Sequence, residues 1–221
     1  MTKEELINKA VYIQYPLTYT SYKNYDVGKK IHKLPLAEKG FMYDGWKYNE
    51  NHFTTKYHRK YSLPLLAKVL NFEYNENDFT LIERKSDDFD ISMLCPKHKY
   101  EYEIYGFNHN EYFDNITYND LINCPFNKDG ITNYHKLYKY PHENSRIINK
   151  TVNNSRILFI SGDSQMIPDL SVLSCYFKEI WYFDNRDEIA LMDKWKNVIF
   201  TDVLVEMNNN IQTQYLDLNF K

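Results

Sequence analysis

Apolar residues fall along this chain in two rhythms. In the last third they come as short runs, Ile157-Leu158-Phe159-Ile160, Ile180-Trp181-Tyr182-Phe183 and Val203-Leu204-Val205, each closed by small or polar residues. Between the first two runs Leu170, Leu173 and Phe177 recur at helical spacing. The pattern predicts strands over Ile157–Ser161 and Glu179–Asp184, and a third from Asn197–Phe200 and Asp202–Met207. Helices are expected over Pro168–Tyr176 and Glu188–Trp195. Strands alternating with helices imply βαβ units, right-handed crossovers and a mostly parallel sheet. The fold class is therefore α/β, a three-layer sandwich around that sheet.

The first two thirds are less regular. Residues 1–10 read as a short amphipathic helix, and Val11–Tyr25 as strand and loop. Leu34-Pro35-Leu36 and Gly40 mark a turn region, and Phe41–Lys56 is a loop dense in aromatic and polar side chains. Tyr61, Leu65, Leu66 and Val69 then predict a helix over Tyr57–Leu70, with Thr54 or Thr55 as N-cap and Pro64 kinking it or delaying its start. Phe79, Leu81 and Ile82 suggest a short strand, and Phe89–Leu94 a turn that Pro96 ends. His98–Tyr105 alternates with period two and reads as a half-exposed strand. Asn108–Asn133 reads as a surface loop, and Tyr134–Tyr140 and Arg146–Thr151 as further strands. The expected organisation is an extension over 1–40, followed by an α/β domain over 41–221 that carries a Tyr-rich insertion around 97–150.

In an open parallel sheet, chemistry sits at the carboxyl ends of the strands. Those ends here are Gly162-Asp163-Ser164, Asp184-Asn185-Arg186 and Asn208-Asn209-Asn210. The first puts a hydroxyl on a tight strand-to-helix turn, beside backbone N–H groups able to stabilise an oxyanion. Taken alone, the same tripeptide also suits a helix cap. A serine nucleophile needs a base, usually a histidine oriented by a carboxylate. The last histidine is His142, so none follows Ser164. Any such base comes from His32, His52, His58, His98, His109, His135 or His142.

Composition narrows the function classes. A net charge of −3, with basic and acidic residues intermixed, gives no nucleic-acid footprint. The 21 Tyr and 13 Phe suit stacking against sugars, and equally suit a biased genome. Cys95, Cys124 and Cys175 lack metal-ligand spacing, and their odd number argues against a disulfide framework. No Gly-rich phosphate loop follows any strand, and the chain has only 6 glycines, so neither a nucleotide cofactor nor a metal is expected. The charged start, Met1-Thr2-Lys3-Glu4-Glu5, lacks an apolar leader, and no window has the length to cross a bilayer. As written, the chain reads as cytoplasmic, or as cell-envelope or periplasmic if an export signal lies outside it.

The strand, Gly162-Asp163-Ser164 and the leucine-bearing helix together resemble the nucleophile block of SGNH-fold (GDSL-like) enzymes. More specifically, they are similar to the alginate O-acetyltransferase-like branch, in which an Asp-x-His-Trp-Thr motif lies upstream of that block. Glu50-Asn51-His52-Phe53-Thr54 matches the upstream motif. Phe89-Asp90-Ile91-Ser92-Met93-Leu94 resembles the Gly-Asp-Leu-x-x-Met-Leu segment between the two. Tyr182–Arg186 and Asp202–Glu206 resemble the strand ends after the serine. The matches run in the family's order from about residue 41 to the end. Glu50 stands where the family has Asp, and Phe53 where it has Trp. Glu must approach the imidazole differently, and Phe keeps the ring but loses the indole N–H.

The resemblance implies acyl transfer on a cell-surface polysaccharide or other glycan through a Ser164-His52-Glu50 triad. The Ser164 N–H and a donor at Asn208 or Asn209 would form the oxyanion hole. Arg186 would grip an anionic group, and Asp163 would shape the turn. His58 is the alternative base, although no carboxylate lies beside it in sequence. Water and a sugar hydroxyl compete as acceptors, so transferase and esterase both stay open. A second class also stays open, a catalytically silent carbohydrate-binding or scaffold relative of the same fold.

Overall fold

The alternation within the apolar runs is realised as a sheet buried on both faces. A computed structural model of the chain describes residues 1–16, 22, 24–25, 27–37, 53–85, 90–107, 112–113, 144–163, 165–184, 195 and 197–207. The chain opens with helix α1 (Lys3–Lys9), fixed by a capping box. Thr2 Oγ1 accepts the Glu5 N–H at 3.2 Å, and Glu5 Oε2 accepts the Thr2 N–H at 2.7 Å. Glu4 and Glu5 in the first turn and Lys9 in the last suit the helix dipole.

The strands are β1 (Ala10–Gln14), β2 (Ile31–Lys33), β3 (Phe79–Lys85), β4 (Asp90–Pro96), β5 (Tyr102–Phe107), β6 (Tyr112–Phe113), β7 (Asn144–Asn149), β8 (Ile157–Gly162), β9 (Glu179–Asp184) and β10 (Asp202–Met207). Among the described residues, eight of them form one sheet in the order β2-β1-β10-β8-β9-β7-β5-β6, and β3 and β4 form a separate hairpin. β2, β1, β10, β8 and β9 run parallel, and β7, β5 and β6 add antiparallel pairings at one edge. The fold is thus the layered α/β class that the rhythm predicts. Residues 1–40, expected as an extension, supply β1 and β2, and β1 pairs with β10 within the sheet. Three strands of the expected insertion, β7, β5 and β6, continue the same sheet beyond β9.

Burial explains why the sheet is sandwiched. β8, β9 and β10 are buried at every position after the first, as a strand covered on both faces must be. Side chains two apart share a face. Ile13, Leu158, Ile160, Ile180 and Leu204 enter one core, and Tyr12, Phe159, Trp181, Val203 and Val205 enter the other. The first core is closed by the helical stretch from Thr55 to Leu70 and by α4 (Ile167–Leu173), and the second by α1 and Trp195.

The stretch from Thr55 to Leu70 has three parts: α2 (Thr55–Tyr57), a π-helical turn (His58–Ser62) and α3 (Leu63–Leu70). Pro64 cannot donate to Lys60, so the regular ladder fails just where the widened turn ends. Thr54 takes the N-cap position with extended backbone, without a side-chain cap bond. Phe89–Leu94, expected as a turn, belongs instead to β4, which pairs antiparallel with β3 from Lys85↔Asp90 to Phe79↔Pro96. Its alternation of Ile91, Met93 and Cys95 is the strand signal, and Pro96 is tolerated at the strand's end. Asn197–Phe200 is not strand, and β10 starts only at Asp202. The expected helix Glu188–Trp195 (Trp195 excepted), the strand Tyr134–Tyr140, most of the loop Asn108–Asn133 and the segment from Phe41 to His52 lie outside the described residues.

Arg156 ties the amino-terminal end of the sheet to the end of α3. Its guanidinium donates to Asp202 Oδ2 at 3.1 Å and Oδ1 at 2.5 Å, and to the Asn71 carbonyl at 3.1 Å. It also donates to the Leu70 carbonyl and stacks over Phe177 at 4.5 Å from the ring centroid. Helix-end carbonyls need such donors. Arg156→Ala is expected to lower unfolding free energy by about 2 kcal/mol, and Arg156→Lys to recover less than half of that, because an ammonium cannot reproduce the fork. Urea unfolding of the three proteins checks it.

Candidate active site

The strand order reverses around β8. The chain passes from β8 to β9 on one side and then to β10 on the other, so a topological switch point lies between β8 and β10. Three strand-end residues take the same face there by alternation: Gly162 follows Ile160, Asp184 follows Tyr182, and Glu206 follows Leu204. This face also carries α4 and the helical stretch from Thr55. Asp163, Asp184 and Glu206 are all buried, with Glu206 at 0% exposure.

Glu206 crosses the switch point and organises the turn. The Asp163 N–H donates to Glu206 Oε2 at 2.9 Å. Gly162 makes that approach possible: a Cβ at this position would lie 2.8 Å from Glu206 Oε2 and 2.8 Å from Met166 Cγ. Burial pushes the Glu206 carboxyl well above the usual carboxylate range, and the charges of Asp163 and Asp184 push the same way. Asp163 is built as the turn former expected of it. Its Oδ1 accepts the Gln165 N–H at 2.8 Å, and its carbonyl accepts the Met166 N–H at 3.0 Å and the Tyr182 hydroxyl at 3.0 Å. Tyr25 lies within the field of the same carboxylates, and burial together with Asp163 and Glu206 raises its phenol to about 12.

The segment before α2 meets this turn. The Phe53 N–H donates to Gln165 Oε1 at 3.3 Å, joining the residue after His52 to the residue after Ser164. Phe53 stacks on Tyr57 at 4.2 Å and on Tyr15 at 5.6 Å between ring centroids. The ring kept at position 53 is fully buried and anchors the segment by packing.

A second polar group sits beneath it, and sequence reasoning missed it. His58 Nδ1 lies 3.1 Å from Asp169 Oδ1, with His58 1% and Asp169 0% exposed. Asp169 Oδ2 accepts the Ser62 hydroxyl at 2.6 Å and the Tyr15 hydroxyl at 2.9 Å. Tyr15 Oη and Ser62 Oγ are themselves 2.6 Å apart. These two hydroxyls own one hydrogen each, so they satisfy two of the three contacts at a time. Burial raises the Tyr15 phenol well above its usual value, and the Asp169 charge adds to that. The expectation that His58 lacks an orienting carboxylate is therefore overturned, because the fold brings one from 111 residues away. The signal for it was Asp169 standing inside the apolar run Met166-Ile167-Pro168-Asp169-Leu170, as Glu206 stands inside Val203-Leu204-Val205-Glu206-Met207.

Of the residues expected to carry the chemistry, Asp163 is described. Ser164, His52, Glu50, Arg186, Asn208 and Asn209 lie outside the described residues, each within two positions of a described neighbour apart from Glu50. Of the other candidate bases, His32 is on the edge strand β2, three strands from β8. His98 precedes the start of β5, which points the same way as β8, so it belongs to the opposite end of the sheet. His109, His135 and His142 lie outside the described residues. Among the described residues no His, Cys, Asp and Glu group has metal-binding geometry.

Two outcomes test the turn. Gly162→Ala is expected to cost about 1–3 kcal/mol of unfolding free energy, because the added methyl meets Glu206 and Met166 in a filled site. For Glu206, the folded-state value lies above its ordinary 4.5, so the folded protein holds a proton that the unfolded chain releases. Its contribution is thus fully present below the ordinary value and is lost as pH rises toward the folded one. Glu206→Gln keeps an acceptor for the Asp163 N–H and removes this loss. Its stability relative to the parent protein should rise with pH above about 4.5 in denaturant titrations. A pH-independent difference would contradict the assignment.

No protein-family model and no curated protein sequence matches the chain. Solved structures do. A DHHW family protein from Eubacterium siraeum DSM 15702 is similar with TM-score 0.61 and 13% identity, over 93% of this chain and 80% of that one. Bacillus cereus PatB1 with a sulfonyl adduct is similar with TM-score 0.65 and 13% identity, over 98% of this chain and 87% of that one. A second PatB1 structure gives TM-score 0.62 and 15% identity, over 99% of this chain and 89% of that one. At these identities the likeness is one of fold, a layered α/β sandwich, and it extends over nearly the whole chain.

Proposed function

We propose that the chain is a serine-dependent acyl-transfer enzyme acting on acetyl esters of a glycan, as transferase or esterase. Ser164 is its nucleophile, His52 its base and Glu50 the carboxylate that orients the imidazole. The observation that carries this reading is the bond from the Phe53 N–H to Gln165 Oε1, which joins the residue after His52 to the residue after Ser164. The likeness to PatB1, solved with a sulfonyl adduct, supports it. A sulfonyl group becomes attached when a nucleophile attacks its sulfur and expels the leaving group, which is what an activated serine does. The upstream position of His52 also agrees with a chain in which no histidine follows Ser164.

In the proposed reaction His52 removes the Ser164 proton as Oγ attacks the ester carbonyl, and the Ser164 N–H stabilises the oxyanion. The protonated imidazole then delivers its proton to the departing alcohol, leaving an acetyl-serine. A sugar hydroxyl or water attacks that ester after giving its proton to His52, and Ser164 is regenerated. Asn208 or Asn209, just beyond the end of β10, supplies the second oxyanion donor. Arg186, two residues beyond β9, grips an anionic substituent of the sugar.

The test is incubation with p-nitrophenyl acetate and with a sulfonyl fluoride. The protein should release nitrophenol in a burst and gain one sulfonyl group at Ser164 by peptide mass mapping. Ser164→Ala should abolish both, and His52→Ala should slow both by about 10²–10⁴-fold. Equal sulfonylation of His52→Ala and the parent would overturn the assigned base. No burst, together with glycan binding unchanged in Ser164→Ala, would favour the silent carbohydrate-binding alternative.

A further inference from the structure

The His58–Asp169 pair is too deeply buried to meet a glycan, yet it occupies a particular place. His58 opens the π-helical turn that follows the Phe53–Tyr57 segment, and Asp169 lies in the first turn of the helix that follows Gly162–Gln165. We propose that His58 and Asp169 form a positioning clamp that locks the His52-bearing segment onto the serine-bearing turn. The proposal rests on the functional reading above for its catalytic meaning, and on the geometry alone for the clamp itself.

Three observations carry it. The carboxylate of Asp169 gathers three donors from two separate places: His58 and Ser62 of the π-helical turn, and Tyr15 just beyond β1. All four residues are almost entirely buried, with exposures of 1% or less. The ends of the clamp connect directly to the two segments it would hold. Asp169 N–H donates to the Met166 carbonyl at 3.0 Å, and Met166 N–H donates to the Asp163 carbonyl at 3.0 Å. On the other side, His58 N–H donates to the Thr54 carbonyl at 3.2 Å, one residue from the Phe53 N–H that grips Gln165. The two segments are therefore joined twice, through the partly buried Phe53–Gln165 bond and through the fully buried His58–Asp169 pair.

The third observation is how the imidazole is held. With hydrogen on Nδ1 facing Asp169, His58 Nε2 carries a lone pair and has no hydrogen-bond partner among the described residues. The one ring hydrogen is spent on the carboxylate of the helix that follows the turn, and the ring packs against Tyr15 at 5.8 Å and edge-on to Tyr57 at 6.2 Å. Its role is that of a positioning residue acting through backbone geometry.

Three variants test it. His58→Leu removes the donor. His58→Asn places an amide N–H close to where Nδ1 stands and should rescue. Ser62→Ala withdraws a second donor and keeps the test open should His58→Leu fail to fold. In the folded fraction, His58→Leu should slow sulfonylation of Ser164 by about 10–100-fold, with Ser62→Ala slower by less and His58→Asn within a few-fold of the parent. A purely structural role would lower the unfolding midpoint while leaving the sulfonylation rate of folded molecules unchanged, and that result overturns the proposal. Should the parent protein itself resist sulfonylation, the functional reading fails, and amide hydrogen exchange decides the clamp separately. Exchange in peptides spanning 53–57 and 163–166 should rise about tenfold in His58→Leu or Ser62→Ala and return in His58→Asn, with the strands of the sheet unchanged. Unaltered exchange at both segments would refute it.

Discussion

One carboxyl group, that of Glu206, fixes the geometry on which the serine-bearing turn depends. It reaches from β10 to the backbone N–H of Asp163 and fills the space where any side chain at position 162 would stand. The glycine of Gly162-Asp163-Ser164 thereby acquires a cause. It is required by what passes in front of it rather than by its own backbone angles, since its φ is not in the left-handed region. Burial favours the neutral form of that carboxyl, and its Oε2 accepts the Asp163 N–H, whereas an isolated charge would be driven out. Asp163 then turns the chain, its carboxylate accepting the Gln165 N–H and its carbonyl the Met166 N–H just before α4.

The parallel core was legible in the sequence because its strands are covered on both faces. Continuous apolar runs such as Leu158-Phe159-Ile160 and Trp181-Tyr182-Phe183 can occur in a small domain only if helices cover both sides, and they do. The hairpin of β3 and β4 was read in part as a turn, because its alternation is short and interrupted by charge. A strand whose partner is one turn away gives a weaker signal than a strand in a buried sheet. The role of residues 1–40 was not legible either. Pairing between Ala10–Gln14 and Val203–Met207 spans almost the whole chain, and nothing local records it.

For the site, Gly162-Asp163-Ser164 and the histidine-poor end of the chain directed attention upstream to residues 50–54, of which Phe53 is bonded to Gln165. The carboxylates that hold the site together were invisible for the opposite reason. Glu206 and Asp169 each sit alone in an apolar run, which a sequence reading counts as an imperfection in a strand or helix. In the folded protein such imperfections are where the polar contacts concentrate, because an ionisable group left unpaired in the core would cost several kcal/mol.

The distribution of these groups follows from chain order. In the proposed triad the histidine precedes the serine by more than a hundred residues, so the two come from segments that share no local structure. Apolar packing brings such segments together, but packing alone tolerates sliding and repacking by small amounts. Directional bonds remove that freedom. Asp169 accepts from His58, Ser62 and Tyr15, Gln165 accepts from Phe53, and Glu206 accepts from Asp163. The acceptors belong to the stretch around the serine or to the strand beside it, and all of these donors except Asp163 lie on upstream segments. Burying so many polar atoms lowers the stability obtainable from an apolar core of the same volume. What the arrangement provides in return is a single register between two distant stretches of chain, and in acyl transfer the separation of base and nucleophile is the quantity to which rate is most sensitive.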